Sequence, residues 1–115
     1  MLLSWNRCTN GNWCNLEYID LSKISVIGVY VIWHGAPNPK VVRVGQGDVS
    51  SRLNDHRNSN EVMKYKTNGG LYVTWANVPS NLLGGVEVFL GNLFQPLVGV
   101  RFPNVTPIPV NSPFA

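Results

Sequence analysis

The sequence predicts one small α+β domain, built from three strands with helices flanking them. Three observations carry that prediction. Two runs rich in β-branched residues, Ile27 to Trp33 and Val41 to Gly45, are separated by a loop holding Pro37 and Pro39, the pattern of an antiparallel hairpin. A helix with an Asp48 N-cap follows and runs to about Arg57. A third strand-like run, Leu71 to Asn77, precedes an apolar stripe of helical period from Leu82 to Phe94. With 115 residues, 44% of them hydrophobic and 13% charged, the chain has enough apolar material for one core.

Residues 1–26 read as an N-terminal extension, with Trp5, Trp13, Leu16, Tyr18 and Ile19 able to pack on a neighbour and Asn10-Gly11 marking a turn. The first strand is apolar on both faces, as in a central strand. Gly28 within it marks a place where something comes close to the backbone. The residues His34 to Lys40 form the connecting loop. Gln46-Gly47-Asp48 then breaks the second strand. On the helix that follows, Val49 and Leu53 face the sheet, while Arg52 and His56, four residues apart, share an adjoining stripe. Glu61 to Lys66 forms a short helical turn with a basic end, and Asn68-Gly69-Gly70 turns the chain. The last helix carries Leu82, Leu83, Val86, Leu90, Leu93 and Phe94 on its apolar stripe, and Glu87 falls within that stripe. A carboxylate so placed requires a partner, a metal or a raised pKa. Pro96 ends the helix, and the prolines at 103, 107, 109 and 113 predict an extended tail over 98–115.

Composition narrows the function classes. The net charge of +3 suits a polyanionic partner without requiring one. Cys8 and Cys14 have no CxxC or Cys/His companions, which removes a structural zinc site within the chain. A disulfide between them would close a short loop, but two buried thiols in a reducing compartment are the default expectation. No stretch is long enough to span a membrane, no signal peptide is visible, and a cytoplasmic protein is the simplest expectation.

Tyr30, Arg52, His56 and Glu87 together cover what phosphodiester hydrolysis asks of a protein. Arg offers a planar donor fork to phosphate oxygens. A carboxylate holds Mg²⁺ or Mn²⁺ through oxygen. Tyr and His relay protons. Each residue taken alone has an ordinary structural reading: a core tyrosine, a solvated helix face, a carboxylate in a salt bridge.

The ordered series Gly28-Val29-Tyr30, Val44-Gly45, Arg52-x-x-x-His56 and Glu87, with Pro96 nine residues on, resembles the GIY-YIG nuclease superfamily over residues 26–97. The closing run from Pro96 to Asn111 is similar to its small single-domain bacterial members. The resemblance implies a three-stranded antiparallel sheet with flanking helices, a core over 27–97, and a Mg²⁺- or Mn²⁺-dependent endonuclease making single-strand cuts in DNA. It also implies roles: Tyr30 helps to activate the attacking water, Arg52 stabilises the phosphate, His56 assists proton transfer and Glu87 binds the metal. Two positions depart from the family pattern. Arg43 stands where the second motif calls for tyrosine, on a side chain that alternates with Val41 and Gly45 toward the catalytic face; it either binds phosphate or marks a site that has lost part of its hydrogen-bond network. Gly99 occupies the place of a common asparagine, with Asn104 or Asn111 as candidate substitutes.

The expected electrostatic footprint on DNA, branched or damaged substrates included, is Arg43, Arg52, Arg57, Lys64 and Lys66, with low sequence specificity and a protein partner as one source of selectivity. The alternatives are a catalytically impaired nucleic-acid-binding module and a protein-interaction adaptor that uses the Trp-rich N-terminus and Pro-rich C-terminus.

Overall fold

A computed structural model of the chain describes residues 1–99 and 102–114. Part of the expected tail, Val100, Arg101 and Ala115, lies outside the described residues. The domain is α+β, a four-stranded antiparallel sheet with three helices. In chain order these are β1 (Cys14–Asn15), β2 (Ile27–His34), β3 (Lys40–Asp48), α1 (Val49–Arg57), α2 (Asn60–Met63), β4 (Leu71–Asn77) and α3 (Leu83–Phe94). The spatial order is β1-β4-β2-β3, so β2 is central and β3 lies at an edge. Among the described residues no helix is long and apolar enough to cross a membrane.

Each face of the sheet buries its own layer. Tyr30, Ile32, Val73 and Trp75 pack with Val49 and Leu53 of α1 on one side. Val29, Val31, Val44 and Ala76 pack with Leu83, Val86 and Leu90 of α3 on the other. This is why β2 is apolar on both faces: seven of its eight residues are buried. Gly28 is forced by spacing, since a Cβ there would overlap the Ala76 carbonyl oxygen on the neighbouring strand.

Several expectations change. The sheet has four strands, because the N-terminal segment adds β1 against β4, with Cys14 opposite Val73 and Asn15 opposite Tyr72. Residues 1–26 are therefore part of the domain: Leu3, Cys14, Leu16 and Leu21 are all buried. Cys8 and Cys14 are not free thiols but a disulfide, and the reducing-compartment argument for a cytoplasmic protein loses its footing. β3 does not break at Gln46 but continues to Asp48, and Asp48 then caps α1 by accepting from the Ser51 N–H. His34 belongs to β2 and is buried, not part of the loop. Leu93 is about half exposed at the end of α3, outside the buried stripe.

The C-terminal segment has no regular structure among its described residues, as its prolines require, yet it is packed and not merely laid over the surface. The Ile108 N–H donates to the Gly85 carbonyl at 2.9 Å. The Asn111 side chain bridges the Leu3 backbone, accepting at 2.6 Å and donating at 3.0 Å. Trp5 Nε1 donates to the Asn111 carbonyl, and Trp13, Trp33 and Phe114 meet edge to face. The aromatic residues expected to serve an adaptor surface are thus engaged with the chain's own C-terminus.

Candidate active site

The site forms where β2 and β3 meet the helices that follow them. In the β2–β3 register Tyr30 lies opposite Gly45, Ile32 opposite Arg43 and His34 opposite Lys40. Tyr30 is fully buried, and its phenol crosses over Gly45, where any Cβ would overlap the Tyr30 Oη. The Val-Gly pair at the end of the second motif therefore has a steric reason. The phenol ends 2.6 Å from His56 Nε2, one helical turn beyond Arg52 on α1. Ring centroids of the pair are 5.4 Å apart.

Arg43 reaches the same face by alternation with Gly45, and a bulge begins just beyond it. The register shifts between Ile32 and Trp33, leaving Val42 as the extra residue and pairing Val41 with Trp33. Val41 accordingly packs on the opposite face, while Val42 joins the Tyr30 layer and Arg43 stays beside Gly45. Simple alternation through Val41 fails here; the placement of Arg43 does not. Its Nε is buried and, among the described residues, has no hydrogen-bond partner.

Glu87 comes from the other side of the sheet. It is 9% exposed on α3, and its Oε1 accepts from Gln46 Nε2 at 3.0 Å. Gln46 lies opposite Val29, on the α3 face of β3. Sequence reasoning had assigned Gln46 to a strand break. The signal that could have found it is its offset of one residue from Gly45, which aims it at the helix carrying the buried carboxylate.

The electrostatics tie the group together. Burial raises the Tyr30 pKa above its usual 10, opposed by the positive charges of Arg43 and Arg52. Burial together with the same two guanidiniums depresses His56 to about 4, so its imidazole is neutral at physiological pH. Burial also raises Glu87, against the Gln46 hydrogen bond and the two arginines, which lower it. One neutral base, one protonated phenol, two guanidiniums and one reluctant carboxylate share the same field.

The remaining predicted residues are not gathered there. Arg57 is committed to the fold: its Nε and Nη2 donate to the Leu16 carbonyl at 3.0 and 2.7 Å, and Nη2 also reaches the Ile19 carbonyl at 2.8 Å. That removes Arg57 from the expected DNA footprint. Lys64 and Lys66 sit on the turn Lys64–Thr67, Lys64 over the Tyr65 ring and Lys66 at 3.8 Å from Glu17. The Asn111 side chain is engaged with the Leu3 backbone, and Asn104 is exposed.

Glu87 is the one carboxylate among the predicted site residues. Among the described residues no cluster of three or more His, Cys, Asp or Glu side chains could cage a metal. Mg²⁺ commonly takes one or two carboxylates and fills its shell with water and substrate oxygens, and Glu87 has one carboxylate oxygen that Gln46 does not engage. Comparison with protein-family models, with curated proteins and with solved structures finds no match.

Proposed function

We propose that the chain is a GIY-YIG-type endonuclease that hydrolyses DNA phosphodiester bonds, making single-strand cuts with low intrinsic sequence specificity. The observation that carries this reading is the 2.6 Å hydrogen bond between Tyr30 Oη and a neutral His56, with the charges of Arg43 and Arg52 close enough to act on both His56 and Glu87.

The residues divide the work by their chemistry. Arg52 is exposed on α1 and offers its fork to a phosphate oxygen from solvent. Arg43, half-buried beside Gly45, supplies a second positive charge from the strand. As the attacking water loses its proton to Tyr30 Oη, the phenol passes its own proton to His56 Nε2. The phenol thus never has to ionise, consistent with its raised pKa. Glu87 would hold Mg²⁺ or Mn²⁺. Such an ion, when bound, supplies neutralisation of phosphate charge and a more acidic water.

The test is nicking of supercoiled plasmid with Mn²⁺ or Mg²⁺ by wild type, Glu87→Ala and Arg43→Tyr. Wild-type nicking that Glu87→Ala abolishes supports the enzyme. Salt-sensitive DNA binding with no nicking would instead mark an impaired binding module, and recovery of nicking in Arg43→Tyr would locate the lesion at that residue.

A further inference from the structure

The hairpin continues past the catalytic cluster to an open cavity of mixed polar and apolar lining. Four residues along β2 from Tyr30, and on the same face, His34 is 4% exposed, and its Nδ1 has no hydrogen-bond partner among the described residues. Its ring stacks on Tyr65 with centroids 6.0 Å apart and planes 15° from parallel. Both residues line a cavity of about 320 Å³, together with Pro37, Asn38, Lys40, Asn68 and Leu97. A buried imidazole nitrogen left without a partner is costly unless something outside the protein compensates.

The polar part of this lining can receive an anion. Lys40 and the two asparagine amides are donors, and Lys64 Nζ lies over the Tyr65 ring at 5.2 Å from its centroid. None of its described lining residues is acidic. The scaffold is fixed: the Gly35 N–H donates to the Asn68 carbonyl at 3.0 Å and to the Gly70 carbonyl at 3.2 Å, and the Ala36 N–H to Asn68 at 2.8 Å.

Its position relates it to the catalytic cluster. Gly45, Arg43 and Lys40 lie in turn opposite Tyr30, Ile32 and His34. Four residues of strand cover about 13 Å, enough to reach a neighbouring phosphate on a strand whose phosphates rise about 3.4 Å per nucleotide along a duplex. We propose that the cavity bounded by His34, Asn38, Lys40, Tyr65 and Asn68 binds a phosphodiester flanking the scissile one in the same DNA strand. This rests on the phosphodiester reading of the Tyr30–His56 cluster, which it extends from one phosphate to a track.

The experiment measures binding without turnover, in chelator, by anisotropy of two labelled probes: a dinucleotide and an oligonucleotide long enough to span both sites. Lys40→Glu, an exposed substitution, is expected to weaken the longer probe about tenfold and to lower its salt slope by about one phosphate contact. The dinucleotide should be unaffected. In wild type, the side-chain amide resonances of Asn38 and Asn68 should shift with the longer probe and not with the dinucleotide. Unchanged affinity in Lys40→Glu, equal loss for both probes, silent asparagine amides or no wild-type binding would each overturn the subsite. Nicking is scored separately: a protein that binds in the expected pattern and never cuts overturns the hydrolytic reading alone.

Discussion

The guanidinium of Arg43 lies directly against Gly99. A Cβ at Gly99 would overlap Nη1 and Cζ of Arg43 and stand 3.0 Å from its Nε. Gly99 also has a φ of +80°, which glycine adopts without cost. The segment after α3 therefore leaves room for the arginine on β3 only because residue 99 has no side chain.

This pairing sets the first prediction. Gly99→Ala should destabilise the protein by about 1–2 kcal/mol from backbone strain alone, plus the cost of displacing the guanidinium. In an Arg43→Ala background only the strain should remain. Urea unfolding of the four proteins in the cycle measures the difference, and a coupling of about 0.5 kcal/mol or more is expected for side chains in contact. Equal costs in the two backgrounds would show the contact to be passive. If Arg43 serves the phosphate, Gly99→Ala should also reduce nicking toward the level of Arg43→Ala.

Arg52 and Arg57 sit five residues apart on one helix and should separate cleanly. Arg57 makes three hydrogen bonds to two carbonyls of the N-terminal segment. Arg57→Ala should cost roughly 2–3 kcal/mol of stability, the scale for charged donors withdrawn from such acceptors, and leave the salt dependence of DNA binding unchanged. Arg52→Ala should do the reverse. Thermal melts and salt titrations of both variants check the pair; loss of DNA affinity in Arg57→Ala with no loss of stability would sink the assignment.

The contrast between these arginines shows what local sequence can carry. The hairpin, α1 with its Asp48 cap, β4 and α3 are legible because each depends on contiguous patterning. The clustering of Tyr30 with His56 follows from a strand, a glycine and an i, i+4 pair. Most of what escaped was non-local. Arg57 looks like a surface charge until the Leu16 and Ile19 carbonyls are brought beneath it by residues that read as an extension. β1 has only two residues and its partner lies nearly sixty positions away, so no periodicity announces it. The Cys8–Cys14 disulfide is local, closing over the turn at Asn10 and Gly11, both at positive φ; two cysteines without companions carry no sign of their redox state. His34 stays in β2 because the prolines that end the pairing begin only at Pro37, a boundary that local pattern leaves open by a residue or two.

Protonation of His56 should appear as a stability effect. Its folded pKa, about 4, lies below the ordinary 6.5, so the fold favours the neutral imidazole. The sign follows: stability is fully present above about pH 6.5 and is lost as pH falls toward 4. Urea midpoints measured across that window should decline in wild type and decline less in His56→Phe. Tyr30→Phe, which removes the 2.6 Å partner, should lower nicking by about 10²–10⁴-fold while the protein stays folded. A Tyr30→Phe enzyme of normal activity would remove the phenol from the proton path.

On the proposed reading, Glu87 should set the acid limb of nicking. Its folded pKa is raised by burial, and the Gln46 hydrogen bond is the largest influence opposing that rise. Ionised Glu87 is the form that holds a divalent ion, and His56 stays neutral down to about pH 4. The nicking rate should therefore fall with acidification as Glu87 takes a proton, before His56 does. Gln46→Leu deletes the opposing hydrogen bond, so the carboxyl keeps its proton to higher pH and the acid limb should move upward. Arg43→Ala removes a positive charge that lowers the same pKa and should move it the same way. Glu87→Gln should abolish nicking and, because the fold disfavours the ionised carboxyl, leave stability at neutral pH unchanged or higher. A pH–rate profile of wild type and Gln46→Leu distinguishes the assignments. An acid limb that does not move in Gln46→Leu would transfer control of the limb from Glu87 to another group.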